Sequence, residues 1–380
     1  MQKVTDVVSA TASYERWMAS HTAVVHEDLA LKHERMAASP FVFLRATFYR
    51  WIELFPTVCT DLMDAPYVTA VGDLHIENFG TWRDREGRLV WGVNDLDEAS
   101  SLPYVSDLVR LATSVALGID RGDLRLRFGQ ACEAICEGYL SSLDRGGEPI
   151  VLSERHRALR EVALGEARDP KKFWAKMEEL PRLTRVPPDV VRVLEHALPD
   201  RNVPYSVRTR VAGVGSLGRP RFVALATYEG GWLAREAKAW LPSAAEPGAR
   251  RRGKAAIALL RDGTRSPDPA WSIRGSWIVR RLAPDCSRIE IDDLPKRRDE
   301  WKLLRAMGWE TANIHLATPN IGKRVSQDLR GRRRRWLERA TAAMADATIS
   351  DWKAWVRDGP ASSAFRRRSA ENPSPRHTSR

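Results

Sequence analysis

Between about residue 11 and residue 60 the apolar positions recur at helical spacing. The stretch FVFLRATFYRWIELF is the most apolar of them, with Arg45 and Arg50 set inside it. This spacing predicts helices that pack beneath whatever follows. The pattern then changes: Tyr67, Val68, Thr69 and Val71 form a strand-like approach that ends in the polar loop GDLHIEN. After the loop, two short apolar runs, Phe79 to Trp82 and Leu89 to Val93, flank the turn-forming RDREGR and predict a β-hairpin. Such a hairpin returns the chain, bringing NDLDEA close to GDLHIEN.

From Asp107 to about Leu198 the periodicity is helical. In DLRLRFGQACEAICEGYL the positions Leu124, Phe128, Ala131, Ile135 and Tyr139 fall at spacings of three and four and define one buried face. Cys132 and Cys136 lie on or beside that face and read as core residues rather than a metal pair. Three strand-like runs follow in YSVRTRVAGVGSLGRPRFVALATYEGGWLAREAKAW, with a glycine-rich turn between the first two and a hairpin signal at EGG. A small antiparallel sheet is expected here, continued by SWIVRRLAP and RIEID. EWKLLRAMGWETANIHLAT and RRRRWLERATAAMADATISDWKAWV return to helix, so the chain is α+β with no internal repeat.

The 380 residues can bury a core without a disulfide or metal staple, and the four cysteines include no CxxC pair. The first residues lack the pattern of a signal peptide, and no apolar run approaches the roughly 20 residues that span a bilayer. A soluble protein of a reducing cytoplasm is the expectation. The net charge of +12 favours anionic partners, but much of the excess lies late in the chain, and SSAFRRRSAENPSPRHTSR reads as a disordered tail with weak attraction to anions or nucleic acid. No nucleic-acid recognition module is apparent, which makes a nucleic-acid-binding protein the weakest reading.

The loop concentrates the chemistry. Asp73, His75 and Asn78 stand together, and the predicted hairpin delivers Asp95 and Asp97 beside them. Oxygen ligands with one or two carboxylates suit magnesium, which fills its remaining positions with water and phosphates. They suit zinc poorly, since His75 is the only nearby nitrogen ligand. If a metal carries phosphates here, Asn78 and Asp95 are its expected ligands, and Asp73 is then free to accept a proton from a hydroxyl. In GVGSLG, the residues Gly213, Gly215, Ser216 and Gly218 sit between two strand-like runs, not between a strand and a helix, which argues against dinucleotide binding. A strand, glycine loop, strand arrangement covers nucleotide phosphates in protein kinases, where a lysine on a following strand completes the grip. Lys238, at the end of the next run, is the candidate.

GDLHIENFG, NDLDEA and SDLVRLATS resemble the aminoglycoside phosphotransferase and choline kinase branch of the protein-kinase-like fold. That resemblance implies Asp73 as catalytic base, Asn78 and Asp95 as metal ligands, Asp97 as a further acidic residue, and Asp107 as the aspartate that opens the following helix. More closely, FVFLRATFYRW, VRRLAPDCSRIEIDDL and MGWETANIHLAT resemble the bacterial family called domain of unknown function 2252, over roughly residues 35 to 320. The implied fold is a two-lobed kinase-like one with permuted lobe order. A helical catalytic lobe would span residues 1–200, a β-rich nucleotide lobe 201–295, and helices packing on the catalytic lobe 296–358, with the basic tail at 359–380. The helix ending NIHLAT, with His315, resembles the Leu-His helix that in that fold leads towards the catalytic loop. The implied activity is ATP- and Mg-dependent phosphoryl transfer to an unidentified hydroxyl acceptor. A nucleotide-binding pseudokinase and a nucleotidyl transferase stay open beside it, because Glu236 shares a run with Lys238 and the next helix candidate, RRRGKAAIALL, is basic.

Overall fold

Two of the helices expected at the N-terminus begin where a side chain supplies the cap. The computed structural model describes residues 5–152, 156–163, 169–248, 253–286, 288 and 299–360. Asp6 accepts the Ser9 N–H at 2.9 Å and starts α1 (Val7–Ala19), which is followed by α2 (His26–Ala38). Ser39 caps α3 (Pro40–Ala46), where Pro40 occupies a first-turn position that needs no N–H. The next helix is α4 (Phe48–Val58).

The strand β1 (Tyr67–Ala70) leads into the polar loop, and β2 (Phe79–Arg83) and β3 (Leu89–Val93) form the expected hairpin, with Phe79 opposite Val93 and Arg83 opposite Leu89. A short strand that the hydrophobic pattern does not single out, β4 (Ser100–Pro103), pairs antiparallel with β1. The helix α5 (Tyr104–Asp120) follows directly and is buried along most of its length. In α6 (Phe128–Arg145) the residues Ala131, Ile135 and Tyr139 are buried as expected, whereas Leu124 is buried but precedes the helix. The reading of residues 107–198 as helical misses β5 (Ile150–Val151), which adds a third strand to the hairpin at β3. Two apolar residues carry too little period to be told from helix. Helices α7 (Arg157–Ala163), α8 (Pro170–Glu178) and α9 (Pro188–Glu195) complete this half.

The second sheet comprises β6 (Tyr205–Thr209), β7 (Arg221–Tyr228), β8 (Gly231–Ala239), β9 (Ser272–Arg274) and β10 (Trp277–Leu282), in the antiparallel order β6-β7-β8-β10-β9. Glu229 and Gly230 both take positive φ, the backbone that a two-residue hairpin turn requires. One face of this sheet packs Val207, Ala224 and Ala237 against Val190 and Leu194 of α9. The other packs Val223, Leu225, Ala234 and Leu282 against Met177 of α8. Between β8 and β9 lies α10 (Lys254–Asp262). The expected RIEID strand falls outside the described residues apart from Arg288, which bridges to Gly80.

The chain returns to the first half as α11 (Glu300–His315), α12 (Ile321–Gly331) and α13 (Trp336–Asp358). Helices α6 and α11 cross closely because Gly138 and Gly308 lie at the crossing, where a Cβ on either would overlap the carbonyl oxygen of Arg305 or Ile135. The largest apolar cluster gathers around α5, α6 and α11. The chain is therefore mixed α+β with small antiparallel sheets. All four cysteines are free, and burial raises their thiols to about 12 for Cys59, Cys136 and Cys286 and higher for Cys132, which fits core residues. Among the described residues, no helix is long and apolar enough to cross a membrane. The basic tail beyond Pro360 lies outside the described residues.

Candidate functional site

The polar loop is hung from the first turn of α5. Asp107, fully buried, accepts the backbone N–H groups of Val71 at 2.7 Å and Gly72 at 3.0 Å, and His315 on α11 donates from Nε2 to the same carboxylate at 3.0 Å. The Tyr139 hydroxyl meets His315 Nδ1 at 2.7 Å, which fits the tautomer that donates from Nε2. Further along α5, Ser114 accepts the Ile76 N–H at 3.0 Å. Gly72 has φ +80°, and a Cβ there would overlap the Glu98 carbonyl oxygen, so only glycine lets the loop turn this close to the acidic segment. The platform leaves Asp73 pointing outward.

One side of the Asp73 carboxylate is held by Arg110, whose Nε lies 3.2 Å from Oδ1 and whose Nη2 also donates to it. Arg110 is itself buried over the rings of Phe48 and Trp51 and donates to the Leu44 carbonyl at 2.8 Å. Burial raises the Asp73 pKa and Arg110 pulls it back only in part, so the carboxyl stays above its ordinary value. Its other oxygen faces the glycine-rich turn: a Cβ on Gly215 would sit 3.5 Å from Asp73 Oδ2 and 2.9 Å from the Arg45 carbonyl.

Asn78 stitches the loop to the acidic segment after the hairpin. Its Nδ2 donates to the carbonyls of Asp73 at 2.9 Å and Asp95 at 3.1 Å, while Oδ1 accepts the Asp95 N–H at 2.9 Å. Asp95 and Asp97 turn toward the same space, and Lys238 from β8 lies between them, 3.2 Å from Asp95 Oδ2 and in contact with Asp97. Burial opposes the charge on Asp95, but Lys238 and Arg280 hold its carboxyl well below the usual range. Burial and the adjacent Asp95 charge raise Asp97 to about 7. Two neighbouring carboxylates and an amide oxygen are the ligand types that a hard cation takes. Among the described residues, no group of three His, Cys, Asp or Glu could hold a metal ion by itself.

Most of the sequence-derived candidates converge, while Gly218 faces Leu29 and Met18 and Asp107 supports the loop from behind. A cavity of about 50 Å³ is lined by Asp73, His75, Asn78, Asp95 and Asp97 from the first half and by Gly213, Gly215 and Ser216 from the turn. Gly218 sits at the edge of the turn, where its carbonyl accepts the Val25 N–H at 2.9 Å. Lys238 reaches the site across a separation of 143 residues. Glu236, the acid of the same strand, does not pair with it. It is enclosed by Arg210, Arg221 and Arg280, which hold its carboxyl well below the ordinary value despite burial.

Four site residues escape the sequence reading. Arg219 ties the glycine-rich turn down, donating to the Tyr14 hydroxyl at 2.7 Å and to Glu98 at 3.2 Å, with Asp97 at 3.6 Å. Glu98 in turn accepts the Ala244 N–H at 2.7 Å. Arg110 and Tyr14 complete the set, and nothing in the local pattern distinguishes any of the four. Arg45 did leave a signal, as a charge inside the most apolar stretch, and it pairs with Glu77 at the cavity wall. His75, buried and with Nδ1 unpartnered, is kept neutral by burial and by the nearby charges of Arg45, Arg110 and Arg288.

Residues 24–180 match the family described as an uncharacterized protein conserved in bacteria, DUF2252. The matched segment contains the loop, the hairpin, the acidic segment and α5, and it excludes the glycine-rich turn and Lys238. No curated protein and no solved structure matches the chain.

Proposed function

We propose, from a family match that carries no activity and a site that has the parts for one, that this chain is an ATP- and Mg-dependent phosphotransferase of permuted kinase-like architecture. The observation that carries the reading is the meeting of Lys238 with Asp95 and Asp97 directly beside Asp73 and beneath the glycine-rich turn. Neither half of the chain holds a phosphate site alone. Helices and loop supply the acids, and the second sheet supplies the lysine and the backbone cover.

In this reading Asp95, Asp97 and Asn78 would hold a magnesium ion, whose charge would offset that of the phosphates. Lys238, now paired with Asp95 and Asp97, would add its charge to the phosphate grip. Asp73 accepts the proton of the acceptor hydroxyl at Oδ2, since Arg110 occupies Oδ1 and fixes the carboxylate's orientation. Its raised pKa brings the base nearer to neutral, where proton transfer is more effective.

A second reading, a nucleotide-binding pseudokinase, is favoured by the partner of Lys238: in kinases the lysine pairs with a helix glutamate, whereas here it pairs with the acids after the hairpin, and α10 carries no glutamate. Incubation with γ-labelled and α-labelled ATP separates the readings. Transfer of the γ label to an acceptor or to water supports the phosphotransferase, transfer of the α label means nucleotidylation, and binding without either means a pseudokinase.

A further inference from the structure

The segment Asn94 to Asp97 has two sides. Asp95 and Asp97 line the cavity described above, while Asn94 and Leu96 line a second one, of about 40 Å³, behind it. That volume holds a few water molecules or one ion of comparable size. Its walls include Trp82, Trp271, Arg265, Arg280, Arg281 and Asp268.

Among the described lining residues the charge is unbalanced, with three guanidinium groups and a single carboxylate. Arg280 does contact Glu236, but that acid is shared with Arg210 and Arg221. Arg265 stacks on Trp82 at 4.7 Å, and its nearest carboxylate among the described residues, Glu310, stands at 4.0 Å, outside hydrogen-bond reach. The side chain of Arg265 is 6 % exposed, yet only its Nη2 is used, donating to the Val93 carbonyl at 2.6 Å. Its Nε and Nη1, together with Nε of Arg281, are buried without a partner. Buried guanidinium donors left unsatisfied are costly, and an oxyanion offers several acceptor oxygens in the geometry that guanidinium groups match.

We propose that this rear cavity binds a free tetrahedral oxyanion of phosphate size through Arg265, Arg280 and Arg281. The site is separate from the Asp73 cleft and stands whether or not the chain transfers phosphate. Its occupant would brace Arg280, and through Glu236 the strand that carries Lys238.

Calorimetric titration of the full chain with sodium phosphate, against sodium chloride at matched ionic strength, tests it. Saturable binding of one phosphate is expected, weakened at least tenfold in Arg281→Gln and in Arg265→Gln, and unchanged in Lys238→Met, which alters only the front cleft. If Arg265→Gln does not fold by circular dichroism, Arg281→Gln decides alone. Absence of saturable binding, full affinity in Arg281→Gln, or loss of binding in Lys238→Met would each overturn the proposal.

Discussion

Two residues apart on β8, Lys238 and Glu236 sit in opposite electrostatic surroundings. Lys238 is one cation between two carboxylates, Asp95 and Asp97. Glu236 is one carboxylate among three guanidinium groups. Both side chains are buried on the same face of the sheet, where alternate residues of a strand fall. The acid-rich cluster has a deficit that a cation would fill, and the arginine-rich cluster has a surplus suited to an anion. A protein built only for stability gains little from such neighbours, since buried charges are costly unless balanced. In the function proposed above, the pair would meet a ligand that brings both signs, such as a metal-bound polyphosphate.

The largest expected effect comes from separating the acids by role. Asp73→Asn should keep Mg-ATP binding but lower γ-phosphoryl transfer by about 10²–10⁴-fold, the usual contribution of a general base. Asp95→Asn should lose the magnesium dependence of nucleotide binding. Parallel calorimetry and label transfer on both variants would check this, and equal loss of binding would remove the distinction between base and ligand.

The second cluster is tested through stability. Glu236→Gln leaves three guanidinium groups around a neutral amide, and breaking a buried ion pair in this way costs about 3–5 kcal/mol, measurable by urea unfolding. The sign of its pH dependence follows from the lowered carboxyl: the unfolded glutamate, near 4.5, binds a proton before the folded one does. The contribution of Glu236 is thus full above that value and is lost as pH falls through the folded pKa. The gap between wild type and variant should be complete at neutral pH and close only in acid.

A smaller effect of opposite sign is expected at Lys32, which is buried over the rings of Tyr14 and Tyr49 at 5.3 and 5.6 Å. Burial lowers its pKa from 10.5 to about 8. Between those values the unfolded chain holds the extra proton, so stability rises with pH across that window. Lys32→Met should therefore stabilise at neutral pH by on the order of 2 kcal/mol, the pKa shift discounted for the lost ring contacts. The gain should vanish as pH approaches 10.5, as thermal unfolding at several pH values would report. Smallest of all, deletion after Pro360 should leave ATP binding unchanged and reduce only salt-sensitive retention on nucleic acid; lost ATP binding would assign the tail to the site.

Parts of the site were legible because their signals are local. Asp73, Asn78 and Asp95 stood out as polar residues around a hairpin whose two runs and turn have a readable period. Lys238 could be read from its place after a glycine-rich turn. Arg110, Arg219 and Glu98 could not, because each acts through partners far along the chain: Arg110 on Asp73 across 37 residues, and Arg219 on Glu98 across 121. An arginine in a helix or loop looks the same in sequence whether it meets solvent or a buried carboxylate.

Hydrophobic periodicity by itself determined the alternation of helical, β and helical segments, because burial of one face imposes a spacing of 3.6 or 2 on the apolar residues. Glycine positions in the chain set where the backbone could turn at Gly72 and Gly146. Only the tertiary structure decided that β8 carries Lys238 to Asp97 and not to a helix glutamate, and that Glu236 is shared by three arginines. Those are long-range ionic and packing choices, and they depend on which faces meet. A pattern that reports only whether a residue is buried cannot name its partner.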